Sequence, residues 1–232
     1  MDMLMAIDLV IFDCDGVLMD SELIASEVEL EIYSEFGFQS ETKEFAARFA
    51  GLNSEDIKAR IEEDLGYSLP DRVLGEARNK INERVMSEAP MVEGADLVLD
   101  QLDQARCICS NSPPERLKHA LTRVGLYDRF RPYVFSAQDT DPPIFKPKPD
   151  LFLKTIETFE VSANQAIVIE DSIHGIQGAK AAGCRVVGFT GASHTYTGHA
   201  DALIDAGAET VINRMQDLPG IVRAFSEWDG LV

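Results

Sequence analysis

Two aspartates separated by one residue, Asp13 and Asp15, follow the apolar run Ile7 to Phe12 and precede Gly16. The run is β-branched and bulky, short enough for a buried strand and too short for a membrane span. Side chains on an extended chain alternate. Asp13 and Asp15 are therefore expected to point the same way at the strand's carboxyl end, with Gly16 letting the chain turn sharply away. Two carboxylates in one small space repel unless a cation or a shared proton relieves them, and in open parallel sheets the carboxyl edge is where ligands bind. A hard divalent metal is the natural partner. Taken alone, an Asp-Gly turn with solvated acids fits the same residues equally well.

Three further stretches place polar residues at strand ends. Arg106 to Ser110 reads as a short strand finishing in Ser110-Asn111-Ser112, with Pro113 and Pro114 opening a helix. A hydroxyl and free amides at a helix N-terminus bind anions, although a simple helix cap explains the same residues. Lys146 lies in the proline-stiffened loop Phe145-Lys146-Pro147-Lys148-Pro149-Asp150, which on its own reads equally as a solvated loop. The strand Ala166 to Ile169 ends in Glu170-Asp171-Ser172, a second acidic pair, for which capping is again the plain alternative. The four stretches occurring in this order are a poor match to chance.

Positioning these groups requires a scaffold, and the text supplies one in two parts. Ser21 is expected to cap a helix carrying Leu23, Val28, Leu30, Ile32 and Phe36 that stops near Gly37. From Glu41 to Ala89 the pattern stays helical, with Asn53 or Ser54 as a cap, Gly66 as a stop and Pro70 opening another segment. No convincing strand falls between Leu23 and Ala89. The α/β text resumes at Val92. Helices are predicted over 94–104, Pro113 to Val124, Asp150 to Phe159 and Ile173 to Ala182, and strands at Tyr133 to Ser136, Arg185 to Phe189 and Thr210 to Ile212. This is the pattern of a doubly wound, mainly parallel Rossmann-like sheet, an α/β fold with an all-helical insert. Residues 1–19 and 92–232 are expected to form the core and residues 20–91 the insert, with linkers near Met19 to Glu22 and Pro90 to Gly94. The tail from Gly191 to Ala208 reads as loop-rich; its His194 and His199 could line the site's entrance, but scattered surface histidines are commoner and they are not counted as ligands. Cys14, between the aspartates, is expected to face the opposite side and pack.

At 232 residues with 45% hydrophobic content the chain can bury a sizeable core. Its formal charge of −19 argues against nucleic acid and anionic membranes as partners, which demand clustered Lys and Arg. A small phosphorylated metabolite remains compatible, given local positive charge. The four cysteines show no metal-ligand spacing and read as reduced thiols of a cytoplasmic protein. No secretion signal or transmembrane helix is evident, since Asp2 and Asp8 interrupt the apolar start.

Together the four stretches make the chain resemble the haloacid dehalogenase superfamily, in particular its sugar-phosphate phosphatase and β-phosphoglucomutase branch with a helical cap inserted after the first strand. Asp13-Cys14-Asp15-Gly16-Val17-Leu18 looks like the nucleophile motif, and Asp20-Ser21-Glu22 like a continuation common among sugar-phosphate phosphatases. Ser110-Asn111 matches the second motif, Lys146 the third, and Glu170-Asp171 the fourth. The resemblance implies a phosphatase in which Asp13 is the nucleophile and Asp15 the general acid and base. It implies a magnesium ion, Mg2+, held by Asp13, the carbonyl of Asp15, Asp171 and Glu170, the last through water. Ser110, the amide of Asn111 and Lys146 would bind the phosphoryl oxygens, and Lys146 would keep the carboxylates ionised. Arg48, in the segment Arg48-Phe49-Ala50-Gly51-Leu52-Asn53, would contact the substrate. A mutase is disfavoured because the cap-entry histidine of that group is absent near Ala25. A dehalogenase is disfavoured by Asp15 and the Glu170-Asp171 pair, and a non-catalytic binding protein because no catalytic position is lost. A cap that covers the site makes a monomer the default expectation.

Overall fold

The computed structural model describes residues 6–49 and 52–227. The first strand, β1 (Leu9–Phe12), is followed by four helices: α1 (Glu22–Ser34), α2 (Thr42–Phe49), α3 (Ser54–Leu65) and α4 (Arg72–Glu88). The alternating part then runs α5 (Ala95–Leu99), β2 (Ala105–Ser110), α6 (Pro114–Arg123), α7 (Tyr127–Phe130) and β3 (Val134–Ser136). It continues through α8 (Asp150–Thr158), β4 (Ala166–Glu170), α9 (Ile173–Ala181) and β5 (Arg185–Phe189). The last elements are α10 (His199–Ala206), β6 (Thr210–Ile212) and α11 (Leu218–Glu227). All six strands are parallel, in the order β3-β2-β1-β4-β5-β6. With β1 between β2 and β4, the strand ends carrying Ser110 and Glu170 flank the one carrying Asp13.

The alternation along β1 assigns its two faces. Val10 and Phe12 enter one apolar layer with residues of α5, α6, α7 and α11, whereas Leu9 and Ile11 enter the opposite layer with residues of α8, α9 and α10. Cys14 packs in the first layer, as expected.

The helices between β1 and β2 have a core of their own, built from Val28, Tyr33, Phe38, Phe45, Phe49, Ile61 and Val73. Asn53 accepts a bond from the Asp56 amide and so caps α3, while Gly66, at φ +77°, ends it. The two linkers are clasped together. The Asp20 amide donates to Pro90 O at 2.9 Å and the Val92 amide to Leu18 O at 2.9 Å, with Met19 bridged to Met91.

Several expectations change. The Ser21 side chain does not cap α1, because its hydroxyl is drawn to Asp15 instead. The helix itself stops where expected: it ends at Ser34 and its last turn closes at Gly37, φ +92°, with the Phe38 amide returning to Tyr33 O at 3.2 Å. The helix predicted over 94–104 is one short turn, α5, since β2 begins at Ala105. The tail read as loop-rich contains α10, and α11 follows it. Both are amphipathic helices whose small residues and glycines mask their period.

Candidate active site

Asp13, Glu170 and Asp171 meet at the carboxyl edge of β1 and β4, each offering an oxygen within 4.8 Å of the others. Lys146 is inserted among them. Its Nζ donates to Asp13 Oδ1 at 2.9 Å, Glu170 Oε1 at 2.6 Å and Cys109 O at 2.8 Å, which uses all three ammonium hydrogens. The loop carrying Lys146 is fixed through its main chain, the Lys146 amide donating to Asn111 Oδ1 at 3.0 Å. Glu170 is fully buried, and its Oε2 accepts from both the amide and hydroxyl of Ser172, at 3.0 and 2.9 Å.

Close approach explains two glycines. A Cβ on Gly16, which sits at φ +75°, would lie 1.8 Å from Asp171 Oδ2, and one on Gly175 would lie 1.8 Å from Glu170 Oε1. Both acids are packed against bare backbone.

Alternation had placed Asp13 and Asp15 in one space, but the strand ends at Phe12 and period two stops with it. The Asp15 carboxylate instead turns to a separate set of donors. Ser21 Oγ donates to its Oδ1 at 2.6 Å, Ser112 Oγ donates to Oδ2, and Arg116 Nη2 lies 2.6 Å from Oδ2. Burial alone would raise the Asp15 pKa, but Arg116 and the two hydroxyls outweigh it and hold the carboxyl below its ordinary range. For Asp13 the balance runs the other way. Burial pushes its pKa well up, Lys146 opposes this, and Glu170, Asp171 and Asp15 add to the rise. Lys146 acts in the expected direction, favouring the ionised form of Asp13 against burial, but its one ammonium is shared between two buried carboxylates.

Charge counting identifies what would complete the cluster. Counted as ionised, the three carboxylates face one ammonium and the His194 imidazole on Asp171, so the cluster stays net negative, while Asp15 is already matched by Arg116. All the donors facing the gap are oxygens. A hard divalent cation fits that charge and that chemistry.

Ser110 is buried at the end of β2, where its Oγ accepts from the Ser112 amide at 3.0 Å. Asn111 is exposed beside it and also receives Gln138 Nε2 on its carbonyl at 2.9 Å. Both stand next to Cys109, whose carbonyl holds Lys146, so the second and third motifs do converge. Arg48 is placed elsewhere. Its guanidinium pairs with Asp64 at 2.6 Å and lies over the rings of Phe38 and Phe49, all residues of the helical insert.

Four residues of this neighbourhood went unread in the sequence as site groups. Arg116 reaches Asp15 from the first turn of α6 and also donates to Asn82 Oδ1 of α4 at 3.3 Å. Half-buried Glu22, at the start of α1, has its pKa pushed up to about 7, first by burial and then by Asp15 and Asp171. His194 Nε2 lies 3.1 Å from Asp171 Oδ2, and His199 Nε2 donates to the Asp171 carbonyl at 2.8 Å. These histidines are therefore not surface residues: His199 is buried and His194 nearly so. The available signal was topological, since the loop after β5 must lie on the same carboxyl edge as Asp13.

A model of the haloacid dehalogenase-like hydrolase family matches residues 7–183. The 6-phosphogluconate phosphatase of Escherichia coli is 29% identical over 81% of this chain and 85% of its own. A conserved haloacid dehalogenase-like protein of unknown function from Agrobacterium tumefaciens superposes with a TM-score of 0.92 at 47% identity, covering 96% of this chain and 100% of that one. A HAD family hydrolase from Deinococcus radiodurans, solved with bound phosphate and sodium, has a TM-score of 0.79 at 27% identity, with coverage of 94% and 96%.

Proposed function

The chain belongs to the haloacid dehalogenase-like hydrolases, and from that premise we propose that it is a magnesium-dependent phosphatase that hydrolyses a sugar or sugar-acid phosphate through a phosphoaspartyl intermediate on Asp13. The observation that carries this reading is the cluster of Asp13, Glu170 and Asp171 around Lys146, net negative at the carboxyl edge of the sheet. The likeness to a 6-phosphogluconate phosphatase supports the substrate class.

In the first step an Asp13 oxygen attacks phosphorus while the bond to the leaving alkoxide breaks, and Asp15 delivers a proton to that alkoxide. In the second, Asp15 takes a proton from water, the water oxygen attacks phosphorus, and the Asp13 carboxylate leaves. With Arg116, Ser21 and Ser112 around it, Asp15 is in its ionised form, the one the second step requires. An incoming phosphate dianion adds negative charge nearby and so raises the Asp15 pKa towards the protonated form that the first step uses. Ser110 and the amide of Asn111 receive the phosphoryl oxygens where charge spreads, and Lys146 contributes its charge beside them, donating to a phosphoryl oxygen only by giving up one of its three present acceptors. Mg2+, held by Asp13, the carbonyl of Asp15, Glu170 and Asp171, would neutralise charge between nucleophile and phosphate.

Residues 20–91 act as a cap over a core of residues 1–19 and 92–232. Its closure excludes water, and Arg48 contacts the substrate only by leaving Asp64, its partner in the structure. The acidic balance argues against nucleic acid and anionic membranes as partners, and the described helices include none long and apolar enough to cross a bilayer. Four buried, unpaired cysteines suit the reducing cytoplasm, and a monomer suffices for a site that one chain completes.

The test is phosphate release from a panel of sugar phosphates, sugar-acid phosphates, phosphoglycolate and nucleoside monophosphates, with and without magnesium, with Asp13→Asn as the blank. Magnesium-dependent release that vanishes in Asp13→Asn is the expected result. Isomer formation without phosphate release would replace the phosphatase with a mutase.

A further inference from the structure

The three carboxylates of the cluster are not equally supported. Asp13 is held by Lys146, and Glu170 by Lys146 and both donors of Ser172. The Asp171 carboxylate has one partner among the described residues, His194 Nε2, which lies 3.1 Å from Oδ2. The backbone of Gly16 walls the same oxygen on another side, and the carbonyl of Asp171 is gripped by His199 Nε2. A carboxylate and a carbonyl can only accept, so both imidazoles present Nε2–H to Asp171.

The support behind His194 is itself built. Ser193, its neighbour, donates from its amide and hydroxyl to Asp20 Oδ1 at 3.1 and 2.7 Å. Thr195 donates its hydroxyl to Thr190 O at 2.9 Å. The His199 ring stacks on Tyr196 with centroids 4.7 Å apart, and His194 meets His199 edge-on at 5.6 Å. The loop after β5 is thus tied to the linker at Asp20 and to its own strand end, leaving His194 little freedom to leave Asp171.

We propose that His194 is a positioning residue for the divalent cation: it fixes the carboxylate plane of Asp171 so that the other oxygen, Oδ1, faces the gap beside Asp13. This rests on reading Asp13, Glu170 and Asp171 as the cation site. The cation need not touch the histidine. Its affinity depends on His194 because a ligand carboxylate free to rotate loses orientational entropy on binding, whereas one already oriented does not.

The experiment measures Mn2+ binding to the substrate-free protein by electron paramagnetic resonance and by calorimetry, in wild type and in His194→Ala, His194→Asn and His194→Gln. Glutamine places an amide nitrogen where Nε2 was, and asparagine is too short to reach Oδ2. Ala and Asn are expected to weaken Mn2+ binding by about 10-fold to 100-fold, and Gln to stay within about threefold of wild type. Should Ala fail to fold, the contrast between Asn and Gln decides alone. Equal Mn2+ affinity in wild type, Asn and Gln overturns the proposal while leaving the cation site standing. Failure of wild type to bind Mn2+ overturns both. A change confined to KM for the phosphorylated substrate, with Mn2+ affinity intact, would make His194 a substrate contact and overturn the positioning role.

Discussion

Lys146→Met is the substitution that most directly examines how the site is held. Methionine keeps the length of the stem and its packing near the Phe152 ring, whose centroid lies 5.3 Å from Nζ, but it donates to none of the three acceptors at 2.6 to 2.9 Å. Asp13 and Glu170 are then buried carboxylates without a counter-charge. Breaking a buried pair from one side costs about 3–5 kcal/mol. For a chain of this size, with a urea slope near 3 kcal/mol per molar, the unfolding midpoint in metal-free buffer should fall by about 1–2 M. The loss should also depend on pH. Asp13 already has a raised folded-state pKa, and removing the group that lowers it raises it further. A carboxyl raised in the folded state adds stability below its unfolded pKa, near 4, and loses that contribution as pH climbs through the folded value. The deficit of Lys146→Met is therefore smallest in mild acid and grows towards neutrality. Adding Glu170→Gln removes one of the two stranded charges and should restore part of the loss. A midpoint lowered by less than about 0.3 M, or a deficit independent of pH, would refute the assignment of Lys146 as the counter-charge of this cluster.

Two other charged groups give opposite signs. Glu29, buried in the cap core and bonded to Ser54 Oγ at 2.9 Å, has its pKa pushed up to about 7 by burial. The stability tied to it is complete below its ordinary value and is lost as pH rises through about 7. Glu29→Gln keeps an acceptor for Ser54, so in urea titrations it should match wild type near pH 5 and exceed it by up to about 3 kcal/mol near pH 8. Asp15 has a depressed pKa, so its stability is present above its unfolded value and lost as pH falls through the folded one. Arg116→Ala should cost about 2 kcal/mol at pH 7, a deficit that narrows in acid where Asp15 is protonated in both states. An equal deficit at both pH values would show that Arg116 acts by packing alone.

What the sequence made legible, and what it hid, divides along one physical line. β1, β2, β4 and β5 were readable because a strand buried on both faces must be a short apolar run, and Asn53 and Gly66 because capping is settled within a few residues. The acids were readable for the same reason: Asp13, Glu170 and Asp171 each close a strand or follow its end. Their compensating groups obey no local rule. Arg116 reaches Asp15 through the rotational phase of α6, and His194 reaches Asp171 through the path of the loop after β5. Lys146 stands 133 residues from Asp13 and was identified only by the resemblance of its motif. Ser21 shows the competition directly. A serine before a helix is a sound cap by its own neighbourhood, but a buried carboxylate at 2.6 Å is the stronger acceptor and takes the hydroxyl. In a chain with 40 acidic residues against 21 basic ones, acids alone single out nothing. The site is marked by where the few cations go: Lys146 is buried and Arg116 largely so against carboxylates at one sheet edge, and desolvating two cations there is favourable only where a larger negative charge has been gathered to receive them.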